Sequence, residues 1–260
     1  MSSRTVFLGR LIGLYGIIVA LSISQTSRFR LAMAKPEIGN NSPPVLGEQW
    51  VIGPRKASGL ESFSMQKFQL WAQPWWVNLL FLIPVVAYLR WRDKELLLTR
   101  RQLAFITSFA VAFGFVEAAV VVYLRAAVGL LPGCAGTLSD LQHASEVYQQ
   151  AKSITQFPPG LLTIEMFREA ATIVMLGSLA LLAASKARER WAVFLWAFAV
   201  WDITYYVGLW ATVRWPASLR DLDVLFLIPV PWLAQVWFPV VVSMLTLLAT
   251  VMVMTKRKPV

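Results

Sequence analysis

The sequence predicts an all-α fold: a polytopic transmembrane helix bundle of about six spans, with the N-terminus and C-terminus both cytoplasmic. Three observations predict it. Of 260 residues, 57% are hydrophobic, whereas a soluble domain runs nearer about 45–50% because it must solvate its surface. The excess is gathered into runs of membrane length. The Lys and Arg residues behind the net charge of +10 sit beside the ends of those runs. Membrane topology demands that placement, with the lipid bilayer as partner, and no nucleic acid is needed to explain it.

The first run, residues 5–24, follows Arg4 and contains Arg10, and residues 1–24 read as an N-terminal anchor helix. Gly9 and Gly13 have the small-xxx-small spacing that lets helices approach. A cleaved signal peptide is the rival reading, since LAMA at 31–34 resembles a cleavage site. The polar SQTSRFR between that site and the apolar run favours a retained anchor. Residues 25–73, with KPEIGNNSPPVLGEQW, form a polar periplasmic loop.

From 74 to 260 the chain reads as a five-span bundle. The second span, 74–90, opens on Trp75 and Trp76, which suit a membrane interface. It ends in the basic run RWRDKELLLTRR. The third span is 103–124, the fourth 161–184 and the fifth 191–212. The last apolar tract, 224–254, would be about 46 Å long as one helix, against a hydrocarbon core of about 30 Å. Pro229, Pro231 and Pro239 interrupt it, so VLFLIPVPW lies along the interface or dips in and turns back. A straight crossing then starts near Leu233, and 213–232 is an interfacial segment.

Orientation follows from the basic residues. Thirteen of the 24 Lys and Arg fall on one side: Arg4, Arg10, Arg90, Arg92, Lys94, Arg100, Arg101, Lys186, Arg188, Arg190 and Lys256–Lys258. That side is cytoplasmic by the positive-inside rule.

The chemistry lies in charges inside the spans. Glu117 sits on the third helix, Glu165, Arg168 and Glu169 on the fourth, and Asp202 on the fifth. Counted from the outer ends, Glu117, Glu169 and Asp202 fall within about one helical turn of one depth. Residues 165, 168, 169 and 172 share one helix face, as do Asp202, Tyr205 and Tyr206. Such faces cannot look at lipid, where each ionised group costs several kcal/mol. Four carboxyls against the Arg168 guanidinium leave an excess of three negative charges. Either carboxyls carry protons, or a cation binds, or water reaches the cluster. The bland reading is that Arg168 pairs with a carboxylate and locks the helices together. Above the cluster Arg214, Trp215, Arg220, Asp221 and Asp223 form a lid or headgroup contact, or an ordinary connector. Tyr123 and Arg125 close the third helix as anchors.

Cys134 and His143 are the sole members of their types, and both fall in a predicted loop. No intrachain disulfide can form, and no haem, zinc or iron–sulfur ligand set is evident. A hard cation held by carboxylates stays open.

The stretches FGFVEAAVVVYLR, EMFREAATIVML and WDITYYVGLW with the following WPASLRDLDVLFLIPVPW resemble a family of uncharacterised bacterial integral membrane proteins, over about residues 74–254. The resemblance implies a multi-pass protein of the bacterial inner membrane and carries no activity. Glu165 and Glu169 mimic the Glu-xxx-Glu of undecaprenyl-pyrophosphate phosphatases, but the serine-rich phosphate loop of those enzymes is absent.

Three functions fit. The cluster binds a small molecule, cation or lipid from the periplasmic side. Alternatively Glu117 or Glu169 is the acid and Asp202 the base of a membrane-embedded enzyme acting on a lipid or isoprenoid, with Arg168 on an anionic headgroup. The third is an accessory subunit whose acidic pocket docks a partner helix.

Overall fold

The computed structural model describes residues 68–93, 96–127 and 158–255. The predicted first span, the loop up to residue 67, Cys134, His143, Lys94 and the basic tail from 256 lie outside the described residues. A short 3-10 helix, Trp75–Phe81, leads into α1, Leu82–Trp91. Then come α2 (Arg100–Ala127), α3 (Pro159–Ala183) and α4 (Ala187–Val213). Strands β1 (Leu222–Phe226) and β2 (Trp232–Gln235) follow, and α5 (Trp237–Thr255) ends the described chain.

Helices α2, α3 and α4, with α5 over Trp237–Met254, are long and apolar enough to cross a membrane. We therefore read the chain as a membrane protein. The predicted second span is a shorter apolar stretch, Trp75–Trp91. The described residues are mostly helical, consistent with the all-α expectation, with one two-stranded sheet among them.

Local chemistry sets the helix starts. Thr99 and Gln102 form a reciprocal capping box ahead of α2: Thr99 Oγ1 accepts the Gln102 amide at 3.2 Å, and Gln102 Oε1 accepts the Thr99 amide at 2.9 Å. Pro159 opens α3, where its missing N–H costs nothing. At this end of the bundle Glu189 accepts the Leu97 amide at 3.4 Å, and buried Arg190 donates to the Ala184 carbonyl at 3.0 Å. The connections before α2 and before α4 are thereby tied together.

The predicted interfacial segment turns back on itself as a hairpin. Strand β1 pairs antiparallel with β2, with Leu222 opposite Gln235 and Val224 opposite Leu233. The hairpin descends along α4. Asp223 meets Tyr206, and Phe226 stacks on Phe198 at 6.3 Å between ring centroids. Those α4 positions are eight residues apart, or about 12 Å along the axis. Non-helical backbone beside membrane-length helices is tolerated in lipid only where protein satisfies its polar groups. Here the strands pair with each other, Gln73 exchanges two backbone bonds with Leu233 at 2.7 and 2.8 Å, and Glu169 accepts the Leu227 amide. Pro229 and Pro231 at the tip have no N–H to satisfy. The straight crossing begins at Trp237, four residues past the expected start.

Helix α4 is central. Against α2 the backbones approach so closely that a Cβ on Gly114 would lie 2.6 Å from the Trp201 carbonyl oxygen. On the same seam a Cβ on Gly208 would lie 2.8 Å from the Ala118 Cβ.

Candidate functional site

The predicted face of α3 turns toward α2, α4 and the hairpin. Arg168 grips Glu165 with a two-pronged fork, Nε and Nη2 donating at 2.9 and 2.7 Å. Its Nη1 pairs with Glu117 of α2. The Thr172 hydroxyl, one turn further on, donates to the other oxygen of the same Glu117. Bidentate, charge-assisted contacts of this kind are the strong class of hydrogen bond. The helix-locking role expected of Arg168 is therefore present in the geometry.

The remaining acids face elsewhere. Glu169 Oε2 accepts the Leu227 amide of the hairpin at 2.8 Å. Asp202 Oδ2 accepts the Ser243 hydroxyl of α5 at 2.8 Å. Tyr206 donates to Asp223 Oδ2 at 2.7 Å, and Asp223 Oδ1 accepts its neighbour Val224's amide at 2.7 Å. Burial pushes the Asp223 carboxyl up to about 7, although the Tyr206 hydroxyl, the Val224 amide and the Arg125 guanidinium all favour its charged form.

All of these groups line one cavity of about 440 Å³. Towards the N-terminal half of α4 its walls turn apolar, with Phe194, Leu195 and Phe198 joined by Phe226, Trp232 and Val242. A run of ring contacts links the two ends. Tyr206 meets Tyr205 at 5.2 Å, Tyr205 meets Trp201 at 6.3 Å, and Trp201 meets Phe198 at 5.3 Å. Phe226 then bridges Phe198 to Trp232. From Phe194 to Tyr206 the lining spans about 18 Å of helix axis. The space is amphiphilic: charged at one end and apolar at the other.

No family model, curated protein or solved structure matches this chain. The chemistry of the site is therefore read from its own residues.

Glu117, Glu165, Arg168, Glu169, Asp202, Tyr205 and Tyr206 all line the cavity. The expected lid divides. Asp223 lines the cavity and belongs with the acids. Trp215 is buried, 6.3 Å from Tyr206. Arg214 caps α4 in a left-handed conformation, with its guanidinium over Trp210 at 4.5 Å. Asp221 accepts the Ala217 and Ser218 amides at 2.8 and 3.1 Å, which shapes the connector, and Arg220 is exposed.

Three participants were not expected. Arg125, read as an anchor, is 3% exposed and lines the cavity. The signal was its spacing: residues 117, 121 and 125 fall at i, i+4 and i+8 on one face of α2. Ser243 and Thr246 on α5 also line the cavity. Their i, i+3 spacing on a helix whose other polar residues are Thr250 and Thr255 was the corresponding sign. Thr107, Ser108 and Ser178 do not extend the polar lining. Thr107 accepts the Trp196 indole N–H at 2.9 Å, and exposed Ser108 donates to its own helix at 2.9 Å.

With Arg125 and Asp223 included, five carboxyls face two guanidinium groups around the cavity, and the formal excess is again three negative charges. Arg168 serves Glu117 and Glu165. Glu169 and Asp202 bond instead to the Leu227 amide and the Ser243 hydroxyl, and the Arg125 guanidinium acts electrostatically on Asp223. No group of three or more acidic, His or Cys side chains among the described residues comes close enough to hold one metal ion.

Proposed function

We propose that this is a multi-pass protein of the bacterial inner membrane that holds an amphiphilic molecule within its helix bundle, admitted from the periplasmic side. The polar end of the ligand sits at the carboxylate–arginine cluster, and its apolar body lies along the aromatic and aliphatic wall. The observation that carries this reading is a single cavity whose lining changes from charged to apolar along α4. Ligand sites are usually such concave, largely apolar spaces with a few convergent polar groups. The periplasmic assignment rests on Arg90, Arg92, Arg100, Arg101, Lys186 and Arg188, which flank the bundle end opposite the cluster and suit the cytoplasmic face.

Native mass spectrometry with lipidomics on purified wild type and Glu169→Gln tests the reading. A Gln carbonyl still accepts the Leu227 amide, so the variant keeps its hairpin. The expected result is an amphiphile that co-purifies with wild type and is depleted in the variant. A variant that folds and retains the same molecules to the same extent overturns it.

An enzymatic reading draws on Glu169 and Asp202, two carboxyls that line the cavity, as general acid and general base. It expects something different of Glu169→Gln: the bound molecule is retained, but its mass no longer changes on incubation.

A further inference from the structure

We infer that the polar end of the ligand is an organic cation, an ammonium group carried on an apolar body. This rests on the amphiphile reading above and names the class of molecule. The charge distribution is the first argument. Arg168 is held by Glu117 and Glu165, and Glu169 and Asp202 stand beyond it with no ion pair among the described residues. A cation placed between α3 and α4 meets the Glu169 and Asp202 carboxyls, whose bonds are to a neutral amide and a neutral hydroxyl, whereas an anion there meets arginines that already have partners.

The aromatic lining is the second argument. Trp201, Tyr205 and Tyr206 line the same space, and the Tyr205 ring contacts both of the others. Aromatic faces attract ammonium ions through the ring quadrupole, most strongly once water is excluded. Independently of the acids, Trp201 is 8% exposed and lines the cavity, yet its indole N–H has no acceptor among the described residues. A buried donor left unpaired is costly, and it calls for an acceptor elsewhere on the ligand, such as an ester or phosphate oxygen, since the ammonium itself offers none.

Two sources offer this chemistry: a lipid whose headgroup carries ammonium beside phosphate, and a free amphiphilic amine. Binding is measured on full-length protein in lipid nanodiscs at neutral pH, with empty nanodiscs subtracted. The probes are octanoylcholine, its neutral isostere 3,3-dimethylbutyl octanoate, and octylphosphocholine. Octanoylcholine is expected to bind about tenfold or more tighter than the uncharged isostere. That preference is expected to fall away in Glu169→Gln/Asp202→Asn. Octylphosphocholine as tight as octanoylcholine assigns the ammonium to a phospholipid headgroup, and weaker binding assigns it to an amine without phosphate. Equal binding of octanoylcholine and the isostere to wild type overturns the cation while leaving the amphiphile site standing. Saturable binding of none of the three removes both. The headgroup comparison is made on wild type, so it holds even if the double variant fails to fold.

Discussion

The two sides of α4 are built from opposite materials. Towards α2 the chain places Gly114 and Gly208, and the backbones close until there is no room for a methyl group. Towards α3, α5 and the hairpin it places Trp201, Asp202, Tyr205 and Tyr206, and a cavity opens. In lipid the hydrophobic effect does not drive helices together, so close packing of small residues is the main source of cohesion. The seam supplies that cohesion. It leaves the opposite side free to keep a space that would otherwise have to be filled. The difference suggests a division of labour: one face holds the fold and the other holds the ligand.

The largest effect should come from the element on the cavity side that also holds the fold. Arg168→Met leaves Glu117 and Glu165 without their shared cation. Breaking a buried ion pair costs about 3–5 kcal/mol, and the partial exposure of Arg168 places the effect at the lower end. Denaturant titration in mixed micelles measures it. Adding Glu117→Gln and Glu165→Gln should restore most of the loss, because no charge is then stranded. If the triple variant is as unstable as the single one, packing of the arginine stem is the cause, and the ion pairs matter little.

The seam comes next. Gly114→Ala drives a Cβ against the Trp201 carbonyl oxygen and the Thr204 Cβ, at 2.6 and 2.9 Å. Neither is the loose end of a flexible side chain, so the helices must part. Overpacking costs about 1–3 kcal/mol, offset by up to about 1 kcal/mol of helix propensity. The expected net is a lower melting temperature with ligand retention, per folded molecule, unchanged. A variant that is stable but has lost the co-purifying molecule would merge the two faces into one and defeat the comparison.

The same contrast explains what could be read from the chain alone. Spans 103–124 and 191–212 lie within observed helices and 161–184 overruns one only at Ala184, because long apolar runs bounded by polar residues favour a helix in lipid. Glu117, Glu169 and Asp202, expected at one depth from helical rise, all line the one cavity. The hairpin was only half legible. Three prolines announced a break in 224–254, yet strands of five and four residues leave too short a pattern to reveal pairing. Their third neighbour, Gln73, lies far away in sequence. Arg125 was misjudged because a basic residue near a helix end looks like an interfacial anchor. Only the inward turn of its face, set by packing against α4, shows otherwise.

Asp223 offers the smallest effect and the finest cut between scaffold and site, since it belongs to the hairpin yet faces the cavity. Its carboxyl titrates at about 7 in the fold against 3.8 for an unperturbed aspartate. The folded chain therefore holds more protons than the unfolded chain between those values. The stability from Asp223 is thus fully present below about pH 4 and is lost as pH rises to about 7. Asp223→Asn cannot titrate, and it lacks one of the two acceptors used by Tyr206 and Val224. That loss is a pH-independent cost of about 1 kcal/mol. Melting temperature against pH should therefore fall less steeply for the variant than for wild type between about pH 4 and pH 7. Parallel curves, however far apart, would mean that Asp223 is charged in the fold throughout. The hairpin would then contribute a fixed anion to the cavity, and the charge that a ligand must neutralise would not vary with pH at that position.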